Sequence, residues 1–277
     1  MPGEGKCAIT NKKRTGRFAR ETEEAAMEWM KAVFSPTGTT EAVAAAVAEG
    51  AGGTARTVDL SAFVAPETLG EDTVLLSAVP VYGGRVPAVA LERLAALKGN
   101  GSPAVAVVVY GNRAYEDALL ELKDALEGAG FRVVAAGAFV AEHSIIRSIA
   151  AGRPDEADRK AARDFGAAVA AKLALPLEKQ STVTVPGNPE YKPRGGASPH
   201  PVANEDCVKC GLCAARCPVG AIPKEAPGTT GDACINCMRC VALCPQKARS
   251  QPEAVLAATK AKLEVVAAVP RQPEVFL

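Results

Sequence analysis

The chain has 277 residues, a formal net charge of +1, 48% hydrophobic and only 4% aromatic residues. At roughly 150 residues per domain the length predicts two domains, and an Ala- and Val-rich, aromatic-poor composition favours helices and buried parallel strands over an aromatic-rich all-β core. The charge gives no ground for a nucleic-acid or membrane-surface partner, no apolar run reaches the ~18 residues of a membrane span, and no signal-peptide pattern opens the chain, so a cytoplasmic protein is expected.

Residues 1–29 read as a disordered basic extension. "KCAITNKKRTGRFAR" carries six Lys or Arg and no acid, which is the composition of a solvated tail. Met27 and Met30 are alternative starts, and Cys7 reads as an ordinary thiol on the tail. From Met30 onward strands and helices alternate. "MKAVF" is a first strand, "SPTGTT" a turn, and "EAVAAAVAEG" a helix closed near Gly50. "TARTVDL" and "TVLLSAV" follow as strands, "PAVALERLAALKG" as a helix and "PAVAVVVY" as a fourth strand. "YEDALLELKDALEGAG" is a helix, "FRVVAAGAFV" a fifth strand and "DEADRKAARDFGAAVAAKLA" a closing helix. Nearly continuous apolar strands separated by helices predict an α/β domain over 30–175, with five parallel strands covered on both faces.

The loop from Ser35 to Thr40 follows the first strand and opens the first helix. A helix N-terminus presents unpaired N–H groups and a partial positive charge. The hydroxyls of Ser35, Thr37, Thr39 and Thr40 add donors for a phosphate, and Gly38 lets the backbone approach closely. The loop lacks the Gly-Lys-Ser/Thr ending of a nucleoside triphosphate site, and Ser and Thr also serve as plain helix caps.

Residues 176–203 hold six prolines and predict a stiff, extended linker. His200 within it has no assigned role. Beyond it, "CVKCGLCAARCP" from Cys207 and "CINCMRCVALCP" from Cys234 repeat one C-x2-C-x2-C-x3-C-P pattern at an offset of 27 residues, a run known from bacterial ferredoxins that carry two clusters. Zinc prefers paired C-x2-C knuckles, whereas three cysteines at a two-residue spacing wrap one face of an iron-sulfur cube. A chain that has wrapped three corners cannot readily turn back to the last one, so each fourth ligand is expected from the other repeat. One 4Fe-4S cluster is therefore assigned to Cys207, Cys210, Cys213 and Cys244, the other to Cys234, Cys237, Cys240 and Cys217. Pro218 and Pro245 redirect the chain after each remote ligand. The repeat is imperfect, since Ile222 is matched by Arg249, and the break is expected in the packing around the second cluster. This unit, 204–250, predicts a small α+β domain. Residues 251–277 form a tail whose Phe276 and Leu277 either fold back onto a domain or end free.

Taken together, residues 30 to about 173 resemble a flavodoxin-like domain and 204 to about 250 a bacterial two-cluster ferredoxin. The stretches "FSPTGTT", "VPVYGGRVPA" and "AEHS" fit the fused flavodoxin-ferredoxin proteins of anaerobic bacteria and archaea. The resemblance implies a doubly wound sheet that binds FMN beyond the carboxyl ends of its strands. It implies Ser35, Thr37, Gly38, Thr39 and Thr40 for the phosphate, and Pro80, Val81, Tyr82, Gly83, Gly84, Tyr110, Gly111, Asn112 and Tyr115 around the ring. A flavin-stacking Trp is missing, for Trp29 precedes the first strand; Tyr82, Tyr110 and Tyr115 stand near the strand ends instead. Gly83 and Gly84 form a loop able to rearrange or a simple turn. Arg85 is read as a counter-charge for reduced flavin or a solvated residue, and His143 as a proton relay or a structural histidine.

Between Asn204 and Ser250 six Lys or Arg face four Asp or Glu. With about −2 from each oxidised cluster the loaded unit lies near −2, too little for strong steering of many partners, so the attached flavin domain is expected as its main partner. The functional expectation is electron transfer between FMN and two 4Fe-4S clusters, serving a redox partner protein or a small-molecule electron acceptor. The alternatives are a flavin-free docking scaffold and a flavin-dependent reductase of a small molecule.

Overall fold

The computed structural model describes residues 27–53, 55–195 and 199–277; Cys7 and most of the expected basic extension lie outside them. The first domain runs β1 (Glu28–Val33), α1 (Thr39–Gly50), β2 (Ala55–Asp59), β3 (Glu67–Leu69), β4 (Thr73–Pro80), α2 (Ala88–Leu94), β5 (Leu97–Gly99), β6 (Pro103–Tyr110), α3 (Ala118–Gly128), β7 (Arg132–Val140) and α4 (Glu156–Leu173). The second contributes β8 (Val202–Ala203), α5 (Leu212–Ala215), α6 (Arg239–Leu243) and β9 (Arg249–Ser250), and the tail adds α7 (Glu253–Val266) and β10 (Glu274–Phe276).

β2, β1, β4, β6 and β7 lie side by side and parallel, and β10 adds an antiparallel sixth strand beyond β7. The expected five-stranded sheet is thus extended by the tail. Side chains of adjacent residues alternate between two cores. Leu75 and Val79 join Met30, Leu122 and Leu126 on one face, while Val74, Leu76 and Ala78 join Val43, Val47 and Phe165 on the other. Trp29, expected ahead of the first strand, is its second residue and is buried on the α1/α4 face. Helix α1 packs closely on α4: a Cβ on Gly166 would fall 2.0 Å from the Val47 carbonyl oxygen. A reciprocal Asp155–Asp158 capping box starts α4.

Register levels the carboxyl ends of the strands. Val33 pairs with Ala78, Pro80 with Val109, and Tyr110 with Val140, so the loops after β1, β4, β6 and β7 open at one edge. A second, two-stranded parallel sheet joins β3 to β5, so residues 97–99, which the sequence pattern predicts as the end of a helix, are a strand.

Residues 176–195 are a strap laid across α3. Val183 and Val185 enter the core, and the Val183 amide donates to the Val133 carbonyl at 3.1 Å. Asp117 accepts from the amides of Asn188 at 3.0 Å and Lys192 at 2.8 Å. The tail is anchored too: Leu263 and Ala267 pack on Ile146 and Ile149, and β10 follows on β7. Among the described residues no helix is long and apolar enough to cross a membrane.

Candidate functional site

The loops at the carboxyl edge enclose a cavity of about 600 Å³, within the roughly 300–1,000 Å³ of small-molecule sites. Thr37, Thr39 and Thr40 line it from the start of α1, Pro80, Val81, Tyr82 and Gly83 from the β4 loop, Tyr110 and Gly111 from the β6 loop, and residues 141–145 from beyond β7. Ser35 and Gly38 shape the phosphate-type loop from behind. Ser35 Oγ accepts from the Glu41 amide at 3.0 Å, and Gly38 takes φ +91° with open space where a Cβ would point, a backbone that L side chains rarely adopt.

Three expected ring contacts point elsewhere. Gly84 backs onto Glu116, whose carboxylate would lie 1.8 Å from a Cβ there. Asn112 is buried and clasps the tail: Nδ2 donates to the carbonyls of Ala267 at 2.8 Å and Val269 at 3.1 Å, and Oδ1 accepts from the Arg271 amide at 2.8 Å. Tyr115 donates to Glu274 of β10 at 2.7 Å and meets Tyr110 edge-on, with centroids 5.5 Å apart. The tail has taken both residues: it folds back onto the first domain, as one of the two expectations for Phe276 and Leu277 had it.

Arg85 is neither a flavin counter-charge nor a solvated residue. Its Nε and Nη2 fork onto the buried Glu121 carboxylate at 2.9 and 2.7 Å, and its guanidinium lies 4.8 Å from the Tyr191 ring centroid. Arg194 of the strap shares Glu121 at 2.7 Å and lines the cavity. His143 faces the cavity as well. Its Nδ1 accepts from the amides of Ile145 at 3.2 Å and Ile146 at 3.1 Å, which assigns the proton of the neutral ring to Nε2. Burial first, then the Arg113 charge, lower its pKa and favour that neutral form.

The eight repeat cysteines form two sets. Cys207, Cys210, Cys213 and Cys244 line one small cavity; Cys217, Cys234, Cys237 and Cys240 line another. Each set draws three residues from one repeat and one from the other, and none of the eight is in a disulfide. The backbone repeats along with the sequence. Positive φ recurs at Lys209 and Asn236, at Gly211 and Met238, and at Gly220 and Lys247, each pair 27 positions apart. The amides of Ala221 and Ala248 donate to Cys217 Sγ and Cys244 Sγ, both at 3.3 Å. Among the described residues no three Cys, His, Asp or Glu side chains have the geometry of a single-ion site; the thiols of each set line a small space between them. Burial pushes the Cys237 thiol up to about 12, so filling that cavity with a thiolate-bound group expels protons.

The Ile222/Arg249 break falls differently from expectation. Ile222 lines the cavity of Cys217 and Cys234, while Arg249 lines that of Cys207 and Cys213. The departure therefore bears first on the first set.

A family model described as flavodoxin matches residues 33–163, and one described as a 4Fe-4S dicluster domain matches residues 200–245. The chain is a flavodoxin domain fused to a 4Fe-4S dicluster domain. Solved structures similar to it include two-electron reduced Megasphaera elsdenii flavodoxin, at 22% identity over 52% of this chain and 98% of that one, TM-score 0.37. A short-chain flavodoxin associated with a non-canonical PDU bacterial microcompartment is 16% identical over 53% of this chain and 100% of its own, TM-score 0.36. The NAD(P)H:quinone oxidoreductase of Methanothermobacter marburgensis is 14% identical over 54% and 96%, TM-score 0.31. No curated protein matches the chain.

The dicluster domain docks on the carboxyl edge of the flavodoxin domain. Residues 232–236, Cys234 among them, line the flavodoxin cavity directly. Ile235 and Val219 pack on the flavodoxin core. Arg93 donates to the carbonyls of Leu60 and Pro218, one in each domain. The half-buried Tyr82 is near enough to Cys237 that burial first, and then that thiol, raise its hydroxyl pKa. Sequence reasoning missed this wall of the cavity, together with Arg194 and Gly195, because each comes from a segment that reaches the site only by docking.

Proposed function

We propose that the protein passes electrons between FMN in the flavodoxin cavity and two 4Fe-4S clusters, with the cluster of Cys217, Cys234, Cys237 and Cys240 beside the flavin. One observation carries this: Cys234 lines the same cavity as Thr37, Thr39, Tyr82 and Tyr110. When bound, FMN exchanges electrons in pairs or singly and each cluster singly, so the chain converts one traffic into the other.

The chain's own residues divide the work. Thr37, Thr39, Thr40 and the first amides of α1 bind the phosphate, where the helix terminus favours negative charge. Tyr82 and Tyr110 flank the ring. His143 presents a neutral Nε2–H donor to the cavity and holds a proton there for exchange with reduced ligand. Ile235 and Val219, packed against the flavodoxin domain, exclude water between the centres. The amides of Ala221, Ala248 and Asn236 donate to cysteine sulfurs and stabilise added negative charge.

A reductase of external substrates needs open space over the ring, whereas residues 232–236 and Arg194–Gly195 of the same chain form part of this cavity's wall. That wall favours transfer within the chain. The test is the composition of protein purified without oxygen: about eight iron, about eight sulfide and about one FMN per chain. Zinc without sulfide, or protein that binds no added FMN, would end the proposal.

A further inference from the structure

The C-terminal tail lies outside both matched segments, since the flavodoxin match ends at residue 163 and the dicluster match at residue 245. It nevertheless holds the two loops that bring Gly111 and His143 to the flavin cavity. Asn112 makes the first hold. It is 5% exposed and takes φ +62°, a left-handed backbone that Asn adopts more readily than most side chains. Its side chain commits both ends to the tail backbone, through the carbonyls of Ala267 and Val269 and the Arg271 amide. Ala267 caps the end of α7, where carbonyls lack helical partners, and Asn112 supplies one.

The second hold is on the loop after β7. Leu263 and Ala267 share one apolar cluster with Ile146 and Ile149, and the backbone of those two isoleucines fixes His143. The Ile146 amide donates to Nδ1, and the His143 amide donates to the Ile149 carbonyl at 3.1 Å. The imidazole packs on Gly111 so closely that a Cβ there has no room. Contacts therefore run in a ring from Gly111 and Asn112 through the tail to Ile146 and back by His143. The tail also continues the dicluster domain. Just before α7, the buried Gln251 donates to Asn236 Oδ1 at 2.9 Å, and Asn236 lines the cavity.

We propose that Asn112 is a positioning residue for flavin binding that acts through the C-terminal tail: by clasping the tail it keeps the His143 loop against the cavity, so that order in the tail and affinity for the flavin are coupled. The inference rests on the flavin reading. A wall held in place before the ligand arrives loses less freedom on binding, and affinity rises accordingly. Such coupling is reciprocal: if an ordered tail strengthens FMN binding, bound FMN stabilises the ordered tail by the same factor.

The test uses the full chain with its clusters, prepared without oxygen, and titrates FMN by fluorescence. Asn112→Gly removes the clasp and keeps a residue that accepts positive φ. Leu263→Ala loosens the tail from the isoleucines and leaves Asn112 untouched. Each is expected to weaken FMN binding by at least about tenfold. Variants with wild-type circular dichroism and unchanged affinity overturn the proposal. Weakening in Asn112→Gly alone also overturns it, because Asn112 then acts through Gly111 and not through the tail. Hydrogen exchange on wild type needs no substitution. Among the described residues neither the tail nor α4 lines the cavity, yet FMN is expected to slow the amides of 263–271, Arg271 included, by a larger factor than those of α4. Equal slowing of the two segments refutes the coupling even if the variants fail to fold. Wild-type protein that binds no FMN overturns the flavin reading itself.

Discussion

Replacing Glu121 with glutamine removes the charge that ties together three parts of the cavity wall. The carboxylate is only 4% exposed and accepts from Arg85 Nε and Nη2, from the Val86 amide at 2.8 Å and from Arg194 Nη2. The Arg85 side chain is 12% exposed and Arg194 39%, so the Arg194 pair is largely screened and adds only about 0–1 kcal/mol. The main loss is the Arg85 fork, a buried pair whose breaking costs about 3–5 kcal/mol. For a domain of this size each kcal/mol lowers the melting temperature by about 2–4 °C, so Glu121→Gln is expected to melt roughly 6–20 °C below wild type by circular dichroism. FMN binding is expected to weaken as well, because Arg85 and Arg194 hold the β4 loop and the strap around the cavity. A melting temperature within about 2 °C of wild type, less than about 1 kcal/mol by the same scaling, would refute the view that this carboxylate organises the site.

Other predictions follow from the same geometry. Cys217→Ala, although in the first repeat, is expected to remove the flavin-side cluster and about half of the iron; loss of the distal cluster instead would show that ligands do not cross between repeats. Gly111→Ala places a Cβ 2.5 Å from His143 Cδ2, so it is expected to displace the imidazole and weaken FMN binding in a fluorescence titration, while unchanged affinity would remove His143 from the cavity wall. Asp117 is held below the usual carboxylate range by the Lys192 and Asn188 amides. A depressed folded-state pKa contributes stability that is fully present above the unfolded value of about 3.9 and is lost as pH falls through the lower folded value. The amide resonances of Asn188 and Lys192 are expected to titrate together with a midpoint below about 3.9, and a midpoint at or above it would contradict the hydrogen bonds of the strap.

The five parallel strands were legible because strands buried on both faces must be apolar throughout, as "TVLLSAV" and "PAVAVVVY" are. The cysteine pattern was legible because ligand spacing is local. The strap left a trace that went unused: "STVTV" alternates with a period of two, and the two valines it buries are Val183 and Val185. β3 and β5, three residues each, are too short to show periodicity. The resemblance to flavodoxins put Asn112 and Tyr115 at the ring, but residues more than 150 positions away claimed them, and no local signal encodes such a contact. Arg249 was legible as a break in the repeat; the cavity it faces needed the fold.

The most direct test of the account delivers one electron to the bound flavin with a pulse of reductant and follows the absorbance of flavin and clusters over time. Transfer is expected at a rate independent of protein concentration, and it should be lost in Cys217→Ala. A rate that rises in proportion to protein concentration would mean that electrons pass between chains, contradicting the placement of Cys234 as the bridge from the flavin cavity to the clusters.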